Sequence, residues 1–214
     1  VKYSLHKEQI LFSLLVVLHL VGFIGLQSSY KALFVSLTPY NLVLSFALVI
    51  YNHKSISKAF LFFMFLCFIE AWLIEVVGVR TGLIFGQYQY GDALGIKVLD
   101  TPLLIGLNWL MLIYGSGIIS EKFSTNPFVK AIIAATMLLL FDIIMEPVAV
   151  QLNFWTWEND TIPFQNYVAW FLNAFLLQLL FQFFNFNKSN RLGVLLFAVQ
   201  FVFFAALRIL QIFQ

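Results

Sequence analysis

Ten carboxylates are available for chemistry in this 214-residue chain. Glu8, Asp92, Asp100, Glu121, Glu158 and Asp160 fall in predicted loops or ends, whereas Glu70, Glu75, Asp142 and Glu146 stand inside long apolar runs. An ionised carboxylate in hydrocarbon is costly, which makes an intramembrane acid a functional candidate by default. Asp142 and Glu146 are four residues apart and share a helix face. Glu70 and Glu75 are five apart, which at about 100° per residue puts them on different faces. At a rise of about 1.5 Å per residue, Asp142 and Glu146 lie roughly 21 and 27 Å beyond Phe128, and Glu75 roughly 24 Å beyond Ala59. Two helices running the same way therefore bring Glu75, Asp142 and Glu146 to one depth. Each acid also has a plainer reading, which for Asp142, the harder to dismiss, is a purely structural role. Glu146 reaches the interface, Glu75 pairs with Arg80, and Glu70 is a protonated interhelical hydrogen-bonding group.

Polar and aromatic residues surround these acids in the sequence. Asn166, Trp170 and Asn173 are spaced four and three, on one helix face, and Asn108 adjoins Trp109. Such amides bind ligands or hold helices together. Gln178, Gln182 and Asn185 form a second stripe that reads as interhelical glue. Pro147 is expected to disturb its helix and free a backbone carbonyl toward a cavity. Several chemistries lack their residues. The three histidines, His6, His19 and His53, are too few for a membrane di-iron hydroxylase. There is no GxGxxG fingerprint and no P-loop. A magnesium–diphosphate prenyltransferase would need a second acidic cluster. Cofactor-free, metal-free acid–base chemistry in an aromatic-lined cavity remains, or binding alone.

The elements that must position these groups follow from composition. The chain is 62% hydrophobic and only 10% charged, with 26 Phe. A soluble domain carries about 25% charged residues, so this is read as a polytopic membrane protein. A formal charge of +2 signals no nucleic-acid partner. Seven apolar runs approach the ~20 residues a bilayer crossing needs: Ile10–Leu26, Leu33–Ile50, Ala59–Val77, Pro102–Ile119, Phe128–Val150, Phe164–Phe184 and Leu192–Ile212. The expectation is an all-α transmembrane bundle of about seven spans, residues 1–214 forming one domain. The first run, after Lys2 and Lys7, is read as a retained helix rather than a signal peptide, because it lacks a small-x-small cleavage site. Lys2, Lys7, Lys54, Lys58, Lys122, Lys130, Lys188 and Arg191 fall on one side, and Lys31, Arg80, Lys97 and Arg208 on the other. That imbalance places the N-terminus in the cytoplasm, and the three acids in the outer half of the bilayer. Cys67 is read as a small buried hydrophobe.

Two connections are unusual. Gly78–Thr101 carries five glycines together with Tyr88 and Tyr90, and Gln151–Pro163 holds Trp155 and Trp157. The aromatics read as interface anchors, and the glycines as the mark of a tight, folded or re-entrant loop.

Taken together, two stretches resemble a known family. One runs from Glu75 through Gly78, Thr81-Gly82, Phe85-Gly86, Tyr88, Tyr90, Gly95 and Thr101-Pro102 to Asn108-Trp109. The other runs from Asp142 through Glu146-Pro147, Trp155, Trp157 and Pro163 to Asn166 and Trp170. The chain resembles the integral-membrane carotenoid biosynthesis family that includes 1′,2′-hydratases acting on γ-carotene and bisanhydrobacterioruberin, related to heterodimeric-type lycopene cyclases. The resemblance covers about half the chain and leaves out its first 60 residues. The family often has Asp where Glu146 stands, so a carboxylate is kept with a longer reach.

The resemblance implies cofactor-independent addition of water across a terminal isoprenoid double bond. The residues are compatible with it. Protonating an alkene needs a carboxylic acid kept neutral, which an apolar site and a second carboxylate favour. Aromatic faces stabilise the tertiary cation that forms, and a positioned base completes water addition. Asp142 is then the proton donor, Glu75 orients or deprotonates water, and Glu146 tunes the acid, with the roles of Asp142 and Glu75 exchangeable. Tyr88, Tyr90, Trp109, Trp155, Trp157 and Trp170 line the cation end, while Asn108 and Asn166 fix water or Glu75. The implied partners are a carotenoid such as lycopene or γ-carotene, the lipid bilayer of a bacterial cytoplasmic membrane, and other carotenoid biosynthesis enzymes. A cyclase would use the same protonation but capture the cation with an internal double bond. A non-catalytic carotenoid or lipid carrier would need no carboxylates.

Overall fold

The computed structural model describes residues 2–213, with side chains from Lys7 onward; the Lys2 and His6 side chains lie outside the described residues. Among the described residues eight α-helices dominate: α1 (Lys2–Leu26), α2 (Lys31–Ser36), α3 (Thr38–Tyr51), α4 (Lys58–Thr81), α5 (Leu103–Ser120), α6 (Pro127–Gln151), α7 (Phe164–Phe183) and α8 (Arg191–Ile212). The protein is an all-α polytopic bundle. Six helices (α1, α4, α5, α6, α7 and α8) are long and apolar enough to cross a membrane.

Local chemistry sets the boundaries. Ser57 Oγ accepts the Phe60 amide at the start of α4, and Asn126 Oδ1 accepts the Phe128 and Val129 amides ahead of Pro127 at the start of α6. Such caps satisfy amides that have no partner within the helix. Gly82, at φ +65°, ends α4 by donating its amide to the Gly78 carbonyl, a left-handed position that costs glycine nothing.

Two expectations differ from the structure. The run Leu33–Ile50 is not one helix but α2 and α3, divided at Leu37. Pro39, in the first turn of α3, has no amide for the Val35 carbonyl, and in one continuous helix its ring would clash with that group. Pro147, by contrast, does not interrupt α6, which continues to Gln151. It sits within the last turns, where one lost bond is tolerated.

Helix α5 is the centre of the bundle. In its membrane-length window 72% of residues are buried, against 28–39% for the other five long helices. It packs against α4, α6, α7, α8 and α3. The long connections fold back over one end of the bundle. There β1 (Tyr88–Tyr90), β2 (Lys97–Val98), β3 (Thr101–Pro102) and β4 (Trp155–Trp157) form two small antiparallel ladders, β1 with β4 and β2 with β3.

Candidate active site

The β1–β4 ladder joins loops more than sixty residues apart in the chain. Its register sets Tyr88 opposite Trp157, Gln89 opposite Thr156 and Tyr90 opposite Trp155. Side chains alternate across a strand, so the four aromatics share one face. That face is turned inward: Tyr88, Tyr90, Trp155 and Trp157 are buried while Gln89 is exposed. Gly91 permits the close approach, since a Cβ there would stand 2.1 Å from the Asn153 carbonyl oxygen.

The inward face is a row of hydrogen-bond donors aimed at two glutamates. Tyr88 and Tyr90 hydroxyls donate to Glu75 Oε2 at 2.5 and 2.7 Å, and Trp109 Nε1 donates to Glu75 Oε1 at 2.9 Å. Trp155 and Trp157 indoles donate to Glu146 Oε2 at 3.0 and 2.9 Å. The Asn166 amide is shared, donating to Asp142 Oδ2 at 3.0 Å and to Glu146 Oε1 at 3.4 Å. Glu75, Asp142 and Glu146 are all at most 3% exposed. Buried polar groups of this kind are retained when their bonds are made. Burial and the nearby Glu75 charge push both phenols well above their ordinary range, so Tyr88 and Tyr90 stay protonated donors.

Three carboxylates from two helices are therefore gathered under one aromatic cap. Glu75 and Glu146 line a small cavity together with Tyr88, Trp155, Asn166 and Trp170, and Phe85 and Ile105 contribute to its wall. Its volume is about 10 Å³, close to the ~10–15 Å³ needed to hold one water. Trp109 stacks on Trp170 at 4.1 Å between centroids. Asp142 stands beyond Asn166, outside the cavity lining, and its Oδ1 has no partner among the described residues. Glu75 and Glu146 each accept three hydrogen bonds; Asp142 accepts one.

Other candidates are placed elsewhere. Asn108 is half-buried and does not line the cavity, because one residue from Trp109 is a turn of about 100° around α5. Arg80 does not pair with Glu75 but lies 3.8 Å from Asp100, both exposed. Glu70 has a buried, unpartnered Oε2 and is not part of the cage. Gln178 and Gln182 donate to Ser116 and Ser120 across the α5–α7 interface, as glue does. Among the described residues no cluster of three His, Cys, Asp or Glu side chains is arranged to hold a metal ion.

The sequence marks these aromatics as interface anchors or cavity lining; the structure shows that Tyr88, Tyr90, Trp109, Trp155 and Trp157 are also carboxylate donors. A signal was present: Tyr-x-Tyr and Trp-x-Trp both carry the two-residue period of a strand.

A family model described as carotenoid biosynthesis protein matches residues 36–213. Over 120 residues the chain is 32% identical to bisanhydrobacterioruberin hydratase of Haloarcula japonica. That alignment covers 51% of this chain and 40% of the relative, so the chain spans less than half of the relative's length. No solved structure matches the chain.

Proposed function

This chain belongs to the carotenoid biosynthesis protein family, and on that premise we propose that it adds water across a terminal isoprenoid double bond of a carotenoid. The observation that carries the reading is the β1–β4 ladder. It directs four donors at Glu75 and Glu146 and leaves between them a cavity of one-water size walled by carboxylates and aromatic rings. The relative's name points to the same reaction class.

The chemistry distributes as follows. The Asp142–Glu146 pair, joined through the Asn166 amide, holds the proton. Asp142, with one oxygen uncommitted, is the source and hands its proton directly to Glu146, one helical turn along the same face, whose Oε1 passes it into the cavity it lines; the Asn166 amide donates to both carboxyls and carries no proton itself. The proton adds to one alkene carbon and leaves a tertiary cation on the other. The rings of Tyr88, Trp155, Trp157 and Trp170 line the cavity in which that charge develops, and a desolvated cation–π contact contributes about 2 kcal/mol. Water bonds to the cation carbon and gives its proton to Glu75, whose position is fixed by Tyr88, Tyr90 and Trp109. Return of that proton to the acid pair closes the cycle without a cofactor. A polyene end is far larger than one water, so its entry displaces part of the aromatic wall. The setting is a bacterial cytoplasmic membrane with the N-terminus inside, beside the other enzymes that build the same pigment.

The test is co-expression in bacteria that make lycopene or γ-carotene, followed by mass analysis of the pigments. A product heavier by one water is expected. An isomeric product would mark capture of the cation by an internal double bond, as in a cyclase. Unchanged pigments with folded, membrane-inserted protein would overturn both enzyme readings and leave a binding protein.

A further inference from the structure

A second polar site is built into the membrane-spanning part of the molecule, away from the three carboxylates. Helices α1, α3 and α8 border a half-open cavity of about 260 Å³ whose wall is apolar except for a few groups, among them His19, Asn41 and Gln200. A neighbouring apolar slot of about 330 Å³ runs along the α1–α8 interface and shares His19 and Phe203 with it. Their rings meet edge-on at 6.0 Å, where the two spaces join.

The polar groups have a defined hydrogen-bonding demand. Gln200 is 4% exposed, and its Oε1 is buried without a partner among the described residues. Such an acceptor is costly unless something donates to it. His19 Nδ1 lies 2.9 Å from the Leu15 carbonyl oxygen. A carbonyl only accepts, so in the neutral ring Nδ1 carries the proton and Nε2 is a second acceptor. Asn41 Oδ1 is taken by the Ser45 hydroxyl, which leaves its Nδ2 as a donor. The site thus offers acceptors and one donor beside an apolar slot. A hydroxyl meets the Gln200 acceptor and the Asn41 donor together, because it donates once and accepts as well. A ketone, ether or ester, which only accepts, leaves Gln200 Oε1 unmet. A bare hydrocarbon leaves every polar group unmet.

We propose that this cavity binds the hydroxyl end of an isoprenoid alcohol, with Gln200 accepting from the hydroxyl, Asn41 donating to it, and the carbon chain lying in the α1–α8 slot. The identification of that alcohol as the enzyme's own product, a tertiary carbinol, rests on the hydratase reading; the ligand class does not. Phe154 lines this cavity and directly precedes Trp155 of the aromatic cap, so the site adjoins the outer side of the catalytic enclosure and suits a departing product end.

The experiment uses the full chain in lipid nanodiscs and needs no turnover. A diazirine-bearing tertiary terpenoid alcohol is photo-crosslinked and its attachment points are mapped by peptide mass spectrometry. Tetrahydromyrcenol, a saturated terpenoid ending in a dimethylcarbinol, and its parent alkane dimethyloctane serve as competitors. Labelling is expected on the α1, α3 and α8 walls, with the alcohol competing at least about tenfold better than the alkane, the factor a single well-placed hydrogen bond supplies. Gln200→Met should bring the two competitors level. Leu18→Phe, which fills the cavity from an apolar wall, should abolish labelling and serves where Gln200→Met does not fold. Equal competition by alcohol and alkane in the unaltered protein, or labelling unchanged by the folded variant, would overturn the proposal. Alcohol-selective labelling in a protein that forms no hydrated carotenoid would uphold the site and remove only its link to the product.

Discussion

Tyr88 and Trp157 face one another across the β1–β4 ladder with their rings 5.0 Å apart, yet they donate to different glutamates, Glu75 on α4 and Glu146 on α6. The ladder is therefore a bridge between two helices through their carboxylates. Tyr88→Phe and Trp157→Phe should each destabilise the protein by about 1–3 kcal/mol, the cost of taking a partner from a buried polar group. Because the two rings touch, the double variant should depart from additivity by more than ~0.5 kcal/mol. Thermal unfolding of the four proteins in detergent measures this, and strict additivity would count against a shared bridge.

Asp142 makes one hydrogen bond where its neighbours make three. Asp142→Asn keeps the shape and removes the transferable proton, so product formation should be lost while insertion and pigment retention persist. Measurable product from this variant, by chromatography of extracted pigment, would sink the assignment of Asp142 as proton source. Glu146→Gln should give the same loss, since the proton enters the cavity through that residue.

Gly91 marks a close approach of the two long loops. A Cβ there meets the Asn153 carbonyl oxygen at 2.1 Å, whereas a Cβ at Gly95 has nothing nearer than 3.6 Å but sits at φ +79°. Gly91→Ala must push the strands apart and so disturb both glutamate cages. It is expected to destabilise by about 1–3 kcal/mol and to lower activity at least tenfold. Gly95→Ala should cost stability through backbone strain alone, with activity per folded molecule preserved. Loss of activity in both variants alike would show that the ladder's spacing is not what matters.

His53 gives a pH dependence at the opposite end of the bundle. Its Nδ1 lies 2.7 Å from the Tyr114 hydroxyl oxygen, and its ring stacks on Phe60 at 3.8 Å. Burial lowers its pKa below the ordinary histidine value, partly offset by a hydrogen bond to the Ser55 backbone. The unfolded chain then binds the proton first as pH falls. The stability His53 contributes is complete above about pH 6.5, and it declines as pH drops through that value toward the lowered folded one. His53→Gln should flatten this part of the stability profile between about pH 8 and pH 5. An unchanged slope would show that His53 takes no part in it.

Much of the fold was legible before any coordinates. The apolar runs Ala59–Val77, Phe128–Val150 and Leu192–Ile212 each fall within a helix longer by a few residues at one or both ends, because a stretch with no other way to satisfy its backbone in lipid must be helical. Hydropathy makes Leu33–Ile50 one run where the structure has two helices, since it does not register the single missing amide of Pro39. Within the site, helical spacing put Asp142 and Glu146 on one face, and rise per residue brought Glu75 to the same depth. The donors to those acids were not identified. The hydrogen bonds from Tyr90 to Glu75 and from Trp155 to Glu146 depend on strand pairing across more than sixty residues of intervening chain; Tyr-x-Tyr and Trp-x-Trp each carry a strand's period, but nothing local says that the two strands pair.

By itself, then, the sequence determined the apolar surroundings, the class of fold and which acids stand inside long apolar runs, because hydrophobic length and charge scarcity act locally along the chain. Only the tertiary structure decided what each acid does. Whether a buried carboxylate is caged by three donors, as Glu75 is, or left with a free oxygen, as Asp142 is, depends on which distant side chains arrive beside it. Hydrogen bonding is directional and short-ranged, so an acid's chemistry is settled by neighbours that its own stretch of sequence does not contain.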